Sequence, residues 1–489
     1  MVNEQTKIPL KLLPAWRICR GSMSTQPTTA TDPERTAHRN RGSEPEGRYR
    51  FPPGLDVNLL WYALRRFLPV DPIALFSHLG NTYGDIAHYK LAHRHIVYLN
   101  HPEYIREVLV VQHANFIKER VQQRSKILLG NGMITADGDT HWGQRRVAQP
   151  AFHRQRIATH AGEIVRRAVE LREQWQPDSE VDIYREMMHY SLGVVGSAFF
   201  GRDLGEEVVA LNSAVSDIMD VYHPLVLLPG IRTLLKIPFT PLRKAIRARD
   251  AIHAMADRLI DQHRLQDDNG DLLSMMLNAE RQMQWSDEDL RGQVVTIFLA
   301  GYETMAIALT WTWYFLSQNP DVEARMHAEI QEALGDRVPV YEDLPRLQYT
   351  EMVLAESMRL YPPAWAMGRE AVRDFALGEW SFPAGTTVLM SQYVMHRDPR
   401  YFDDPLKFVP ERHTPEARAG RPRGTYLPFG MGPRQCIGES FAWMEGVLTL
   451  ATLVQRFRVE LVPGQRIEPQ PLFTLRPKYG ICMTLKSRG

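Results

Sequence analysis

The segment that spans residues 429–438 constrains this chain more than any other part of its sequence. It reads F-G-M-G-P-R-Q-C-I-G, so glycines and a proline set a tight loop directly before Cys436. Apolar residues at helical spacing follow, which predicts that a helix begins just after the cysteine. Backbone N–H groups at a helix N-terminus favour a thiolate, and Arg434 adds a cation two residues earlier. The segment therefore predicts a buried thiolate.

The surroundings of that thiolate indicate what it binds. Gly430, Gly432 and Gly438 have no side chains to obstruct a large flat group, and Phe429 can pack beside the sulfur and keep water away. A buried thiolate with one open face suits an axial ligand to haem iron. The alternative is a structural cysteine in a glycine-rich turn.

The cysteine segment resembles the haem-binding loop of the cytochrome P-450 family, the haem-thiolate monooxygenases. Other landmarks follow in the family's order, and the resemblance covers about residues 50–489. It implies a single-domain fold, mostly α with small β-sheets. Haem b would be held without a covalent link, between a long oxygen-side helix and the helix after the cysteine loop.

The oxygen-side helix is expected where the sequence reads Ala300-Gly301-Tyr302-Glu303-Thr304, which resembles the family's A-G-x-[DE]-T. A Thr hydroxyl can bond the carbonyl four residues back, here Ala300, and so bend or open the helix. Oxygen activation needs protons while bulk water is kept out. We therefore expect Thr304 to hold or relay a proton that Glu303 supplies. The alternative is a flexible spot with a surface Glu.

The remaining landmarks concern haem binding and fold. Glu356 and Arg359 match the family's E-x-x-R, and Arg412 lies in a P-E-R segment followed by His413 where the family has Phe. The resemblance implies that Glu356, Arg359 and Arg412 form a buried charge network under the haem. Trp142 and Arg146 resemble W-x-x-x-R. The predicted cofactor-binding residues are Trp142, Arg146, Ala300, Arg369, Phe429, Arg434, Cys436 and Gly438.

The predicted reaction uses dioxygen and two external electrons to insert one oxygen atom into a hydrophobic substrate, by hydroxylation or epoxidation. A haem-thiolate peroxygenase or rearrangement catalyst, or a carrier of haem or a lipophilic ligand, is the alternative. Only 53 residues follow Cys436 (489 − 436), too few for a flavin or iron–sulfur domain. The resemblance thus implies a separate ferredoxin or flavodoxin with an NAD(P)H reductase. Arg145, Arg421 and Arg423 are candidates to meet an acidic donor; the alternative is ordinary surface charge.

Regions that line the haem in this family supply the candidate substrate pocket. Most of its members are apolar, which favours a hydrophobic substrate, and fatty acids, terpenoids, steroids and polyketides all stay open. Residues 221–231 are also apolar and belong to an entrance or to the core. The pocket candidates are Phe116, Ile297, Ala300, Ala364, Trp365, Ala366, Leu472, Phe473 and Thr474.

Composition and patterning bound the rest of the chain. Lys plus Arg is 58 and Asp plus Glu is 57, which gives no global electrostatic case for nucleic acid. Cys19, Cys436 and Cys482 are too widely separated for a disulfide framework, so a reducing cytoplasmic compartment is expected. The longest apolar stretch, residues 305–316, is too short to span a bilayer and predicts a buried helix. We expect a mobile polar leader over residues 1–49, no transmembrane anchor, and a monomer.

Secondary structure follows from local signals. Residues 84–100 show a hairpin pattern, and His101 with Pro102 opens a helix. Ser286 before an acidic turn starts a long helix that ends at Asn319, and Pro320 starts another that Gly335 stops. A third helix is expected to start at a Thr350 cap and to end before the two prolines at 362–363. Residues 370–395 are expected to form strands.

Overall fold

Predicted start and stop signals mark the helices of this protein. The structure, a computed structural model, describes residues 48–58, 71–201, 213–215, 217–218, 241–265, 271–283 and 285–488. Most of the predicted leader, Cys19 and residues 221–231 lie outside the described residues. The helices are α1 Pro72–Tyr83, α2 Pro102–Arg106, α3 Arg120–Leu129, α4 Gly138–Ala148, α5 Arg154–Thr159, α6 Ala161–Gln174, α7 Ile183–Phe200, α8 Pro241–Arg264, α9 Leu272–Met283, α10 Asp287–Gln318, α11 Pro320–Leu334, α12 Gln348–Leu360, α13 Gln392–Met395, α14 Pro415–Ala419 and α15 Glu439–Val454.

The strands form small sheets at the margin of the helices. The largest sheet has the order β1-β2-β3-β9-β6-β4, and a three-stranded sheet has the order β10-β13-β5. Strands β11 with β12, and β7 with β8, pair as antiparallel ribbons. The strands are β1 Gly54–Asn58, β2 Ile86–Leu91, β3 Arg94–Leu99, β4 Phe116–Lys118, β5 Glu180–Asp182, β6 Met367–Ala371, β7 Phe375–Leu377, β8 Trp380–Phe382, β9 Thr387–Met390, β10 Phe457–Leu461, β11 Pro469–Pro471, β12 Leu475–Pro477 and β13 Cys482–Ser487.

The sequence signals for the hairpin and for the start of the long helix are confirmed. Strands β2 and β3 pair antiparallel, from Ile86 opposite Leu99 to Leu91 opposite Arg94. Ser286 caps α10 in a capping box with Asp289. Strands β6 to β9 occupy most of the segment predicted to be extended, but its last residues, Gln392–Met395, form helix α13, whose start Ser391 caps. The mostly helical class with small sheets is therefore as expected.

One predicted helix start is wrong, for a reason in the neighbouring helix. Helix α12 begins at Gln348, so Thr350 lies inside it and is not its cap. The Glu329 carboxylate on α11 accepts from the backbone N–H groups of Tyr349 and Thr350 and from the Thr350 hydroxyl. A side chain from another helix thus satisfies the free donors that a local cap serves elsewhere.

Helix α10 crosses the middle of the molecule. Among the described residues, it alone is long and apolar enough to cross a membrane, and 83% of its most apolar window is buried inside the protein. A Cβ at Gly301 would meet Val195 of α7 at 2.8 Å, so this glycine lets the two helices approach closely. On another side, Met305 lies near Gly446 of α15. Helix α10 is therefore packed between α7 and α15.

The C-terminal unit runs from Tyr49 to Gly489, and its first residues already contact the rest of it. The Tyr49 hydroxyl donates to Asp374 at 2.7 Å, and Arg50 pairs with Glu379 at 2.5 Å. The chain is thus tied to the β7–β8 region from this point onward.

Candidate active site

The cysteine loop is shaped by its own backbone. Gly430 and Gly432 have φ of +75° and +74°, and a Cβ at Gly432 would lie 2.2 Å from the Leu109 carbonyl oxygen. Turn geometry and close packing therefore require Gly432, which differs from the expectation that the glycines clear space for a flat group. The Cys436 N–H donates to the Phe429 carbonyl at 2.9 Å and closes the loop. Helix α15 starts three residues later, with Gly438 as its N-cap.

The Cys436 thiol is accessible although protein atoms surround it. Burial raises the pKa of the thiol to about 11, opposed by a hydrogen bond from the Gly438 N–H and by the charge of Arg145. Its side chain nonetheless ranks as exposed. The sulfur therefore lies among protein atoms and still has an open face. Such a sulfur needs a cation or a metal to become a thiolate.

The sequence suggested Arg434 as the cation beside the sulfur, but the structure places Arg145 there. Arg145 Nη1 donates to the Gln435 carbonyl at 2.8 Å, which places its guanidinium against the cysteine loop. Arg434 instead donates to the Asp137 carboxylate at 2.6 Å and to the Ala136 carbonyl. Arg434 therefore joins the cysteine loop to the start of α4.

Helix α4 carries the predicted pair Trp142 and Arg146 next to two residues that lie by the cysteine loop. Trp142 is 37% exposed and Arg146 is exposed, and their contact with a cofactor stays a prediction. Their neighbours His141 and Arg145 were not predicted to bind the cofactor: His141 is buried, and both lie among the cations near the loop. The signal for this was the buried stripe of His141, Gln144 and Ala148 at spacings of three and four.

Basic side chains converge next to the loop. Lys118 on β4 lies opposite Arg369 on β6, and Arg434 adds a third cation. Burial and these neighbouring charges lower the pKa of Lys118 to about 6 and that of Arg369 to about 10. They also lower the pKa of His141 to about 3.

Few acidic groups oppose these cations. Among the described residues, Asp137 and Glu119 face the cluster, and burial raises the pKa of Glu119 to about 7. Glu119 is itself occupied as the cap of α3, where it accepts from Val121 and Gln122. In the basic cluster of Lys118, His141, Arg145, Arg369 and Arg434, the lowered pKa values leave Lys118 and His141 mainly neutral at pH 7. The three guanidinium groups still outnumber the two carboxyl groups, which suits a ligand with two carboxylates.

The accessible part of α10 is small and faces one way. From Gly292 to Trp313 every residue is buried except Ala300, Gly301 and Thr304. Ala300 and Thr304 lie one turn apart, and the Thr304 hydroxyl donates to the Ala300 carbonyl at 2.7 Å, the predicted bond. The helix stays continuous through this bond. The Thr304 hydroxyl therefore lies in the accessible stretch of α10, which is buried on both sides of it from Gly292 to Trp313.

Glu303 is engaged elsewhere. It is 1% exposed, and its Oε1 accepts from Arg476 Nε at 2.7 Å and from the Thr474 hydroxyl at 2.8 Å. Arg476 Nη2 lies 2.6 Å from the same oxygen in an ion pair. The carboxylate therefore ties α10 to the β11–β12 ribbon. This geometry does not bring it to Thr304 as a direct proton source, because the ion pair holds it on another side of the helix.

The predicted charge network is present and larger than expected. All five guanidinium donors of Arg359 are used, two on the Glu356 carboxylate and three on the carbonyls of residues 396, 405 and 407. Arg412 Nε lies 3.4 Å from Glu356. His413 Nε2 lies 3.0 Å from the same carboxylate. The histidine that departs from the family pattern is therefore a fourth member of the network.

The pocket candidates divide into two groups. Phe116 packs edge-on against Phe375 at 5.0 Å within the sheet core, and Trp365 donates to the Leu472 carbonyl at 2.8 Å and packs near Phe76. These two aromatic side chains therefore belong to the packing of the fold. The others keep positions beside the core: Ile297 is buried, Ala364 is exposed, Ala366, Leu472 and Phe473 are partly buried, and Thr474 is the partner of Glu303.

Two residues predicted to support the cysteine lie beside α15. Phe429 packs against Trp443 of α15, with ring centroids 5.6 Å apart. Gly438 lies beside Phe152, and a Cβ at Gly438 would lie 3.9 Å from the Cys436 sulfur.

The predicted docking arginines differ in exposure. Arg421 is half-buried, donates to the Arg412 carbonyl and lies over the Phe402 ring. Arg421 and Arg145 are thus structural, and of the three predicted docking arginines only Arg423 is exposed.

Comparison with known proteins agrees with this site. The family model described as Cytochrome P450 matches residues 52–483, so the chain belongs to the cytochrome P450 family. It is a cytochrome P450 monooxygenase. The family implies a haem-thiolate iron cofactor and the use of dioxygen.

Bacterial enzymes are among the proteins similar to this chain. Cyclooctatin synthase of Streptomyces melanosporofaciens is 38% identical over 80% of this chain and 87% of its own length. Cyclooctat-9-en-7-ol 5-monooxygenase of the same organism is 34% identical over 78% of this chain and 84% of its own length. Pentalenene oxygenase of Streptomyces avermitilis is 30% identical over 88% of this chain and 95% of its own length.

Proposed function

We propose that this enzyme inserts one atom of dioxygen into a polycyclic terpenoid, using electrons from a separate protein. The balanced reaction takes substrate C–H, O₂, two electrons and two protons to C–OH and water. The observation that carries the proposal is the Cys436 thiol, which has an open face and lies beside the Gly438 N–H and Arg145 of the basic cluster, two groups that favour a thiolate.

The residues present fit a haem. Cys436 Sγ would hold the haem iron, stabilised as a thiolate by the Gly438 N–H and by Arg145. Arg369, Arg434 and His141 would hold the propionates, whose negative charge offsets the excess positive charge of the cluster. When bound, the haem supplies the site at which dioxygen is reduced and cleaved, which a thiolate ligand favours.

Thr304 would hold a proton at the reacting end of the pocket. Its hydroxyl hydrogen is directed to the Ala300 carbonyl, so its oxygen lone pairs can accept a hydrogen bond from a water. The buried neighbours along α10 exclude bulk water from this point. Glu303 would act as a positioning residue, because its ion pair with Arg476 fixes the helix.

The terpenoid assignment rests on the named relatives. Pentalenene oxygenase and cyclooctat-9-en-7-ol 5-monooxygenase take cyclic, hydrocarbon-rich substrates by their names, and this chain covers most of each. The apolar character of Ile297, Leu472 and Phe473 agrees with such a substrate.

The electron donor would dock beside the cysteine loop. Residues 140–162 contain four arginines and no acidic residue. Trp142, Arg146, His153 and Arg154 are exposed in this stretch, while Arg145 from the same helix contacts the cysteine loop. An exposed aromatic side chain among cations suits an acidic ferredoxin or flavodoxin.

The test is turnover of the haem-loaded enzyme with NAD(P)H, a reductase and either ferredoxin or flavodoxin, against a panel of terpenes, fatty acids and steroids. We expect a product that gains one oxygen atom from ¹⁸O₂ with one class, the cyclic terpenes. Turnover with peroxide but none with any donor system would contradict the monooxygenase proposal. Turnover of fatty acids or steroids alone would contradict the terpenoid assignment.

A further inference from the structure

A polar cavity of about 340 Å³ lies where α3 and α8 meet the first turns of α10. Arg291, which lines it, precedes Thr304 by thirteen residues, about 20 Å along the helix axis. Arg249 and Arg291 each keep 27% of their side chains exposed, so a solute can reach the cavity from solvent. The lining residues are Lys126, Ile127, Gly130, Arg249, His253, Glu288, Arg291 and Gly292.

Three cations from three different helices line this cavity. Lys126 comes from α3, Arg249 from α8 and Arg291 from α10. Arg249 also donates to Asp250 at 2.6 Å, and Arg291 donates to Asp257 at 2.5 Å. Neither aspartate is among the described residues that line the cavity, so these pairs leave the cations facing a shared space.

One carboxylate opposes these cations in the described lining. Glu288 lies in the first turn of α10 and is exposed. Three positive groups therefore share the cavity with one negative group that is open to solvent. Like charges held around one concave space repel each other, and a bound anion would replace that repulsion by attraction.

His253 adds a polar atom without a partner. Its Nε2 is buried and has no hydrogen-bond partner in the described structure, while the ring donates to the Leu128 backbone. Nδ1 is therefore the donor, and Nε2 of a neutral ring can only accept. Burial and the charges of the two arginines lower the pKa of His253. The charged groups around it are Lys126 on α3, Arg249, Asp250 and Asp257 on α8, and Glu288 and Arg291 on α10.

We propose that this cavity binds a phosphate group, free or in a small phosphate monoester, and that His253 takes up a proton when the anion binds. A tetrahedral dianion has enough oxygen atoms for the three cations and for a protonated Nε2. The cavity has roughly ten times the volume that a water molecule takes in the liquid, which leaves room for a small organic group. The bound anion would join α3, α8 and α10 at a point remote from Thr304.

The test is calorimetric titration of the haem-loaded enzyme with inorganic phosphate at pH 7.5, with the ionic strength held constant by NaCl. We expect saturable binding at one site. Lys126→Gln should weaken it by about tenfold or more, because a charge-assisted contact is lost. Glu288→Gln should strengthen it several-fold, because the opposing charge is removed. Arg247→Gln, an exposed change on α8 outside the lining, is the matched control and should leave Kd unchanged within about twofold.

Sulfate tests the role of His253, because it stays a dianion between pH 5.5 and pH 7.5. A bound anion raises the pKa of the neighbouring imidazole, so the affinity should increase by about threefold or more as the pH falls over this range. His253→Gln should bind sulfate equally well at both pH values. A constant affinity in the wild type would overturn the proposed proton uptake.

The melting temperature of the anion-free enzyme gives a second readout. Lys126→Gln should hold or raise it, since repulsion between cations is relieved. Titration with glycerol 3-phosphate compares a monoester with the free ion, and tighter binding of either one supports the site and identifies its ligand. No saturable binding, or equal losses in Lys126→Gln and Arg247→Gln, would overturn the inference. None of these measurements involves turnover, so their failure leaves the proposed function intact.

Discussion

At the scale of single residues, Arg145 and Arg146 are neighbours with opposite expected effects. Arg145 contacts the Gln435 carbonyl and its charge opposes the rise in the pKa of Cys436, whereas Arg146 is exposed. We expect Arg145→Gln to weaken haem retention by about tenfold or more and to shift the reduction potential. Arg146→Gln should change neither. Haem dissociation kinetics and redox titration measure both, and equal effects would contradict the placement of α4.

Thr304 carries a prediction about coupling. Thr304→Ala removes the hydroxyl in the accessible stretch of α10. No side chain then positions the protons that oxygen reduction consumes. We expect electron transfer to continue while a large share of the electrons goes to hydrogen peroxide. The ratio of product to NAD(P)H consumed measures this. Thr312→Val, whose hydroxyl makes the same kind of bond in a buried turn, is the control. Unchanged coupling in Thr304→Ala would refute the assigned role.

The sequence predicted which residues belong to the site better than it predicted what their side chains contact. Cys436, Thr304 and Arg359 are fixed by local motifs whose geometry is short-range, and the predicted Thr304 bond is present. Trp142 and Arg146 were assigned from a motif alone. The packing of α4 decides which of its side chains are buried, and the motif does not report it. The partner of Glu303 is Arg476, 173 residues away, and no local pattern reports such a contact.

At the scale of elements, the charge network joins α12 to the segment around residues 410–413. His413 contacts the Glu356 carboxylate at 3.0 Å and both are fully buried. We expect His413→Phe, the residue type of the family pattern, to lower the free energy of unfolding by about 1.5–3 kcal/mol at pH 7.5. Denaturant unfolding measures it. Arg418→Gln, which breaks an exposed pair with Glu351, should cost less than about 1 kcal/mol.

The same residue sets a pH dependence. Burial lowers the pKa of His413 to about 4, so it stays neutral in the folded state while the unfolded state takes up a proton below about pH 6.5. The wild type therefore loses stability as pH falls from about 6.5 to about 4, at about 1.4 kcal/mol per pH unit from this group. His413→Phe lacks this component. The stability difference between the two proteins should shrink by about 2 kcal/mol at pH 5, and a constant difference would contradict the account.

Helix and strand boundaries followed from the sequence where caps are local and failed where they are tertiary. Ser286 and Asp289 form a box within one turn, which the sequence displays. The start of α12 depends on Glu329 of another helix, so Thr350 was mistaken for its cap. The sheet order β1-β2-β3-β9-β6-β4 joins strands about 300 residues apart and has no sequence signature.

At the scale of the whole molecule, electron entry should depend on the surface around α4. Trp142→Ala and Arg146→Gln remove an exposed aromatic and an exposed cation there. We expect each to raise the KM for an acidic ferredoxin or flavodoxin several-fold at low salt, with a smaller effect at high salt. Peroxide-driven turnover should be unaffected. Arg458→Gln, an exposed change on β10, is the control.

The central claim is that Cys436 holds a haem as its thiolate ligand. The most direct measurement is the absorption spectrum of the reduced, carbon monoxide-bound protein, taken for the wild type, Cys436→Ser and Cys482→Ser. The account predicts the strongly red-shifted Soret band of thiolate ligation in the wild type and in Cys482→Ser, and its loss in Cys436→Ser. An unshifted band in freshly prepared wild type, or protein that binds no haem, would contradict it.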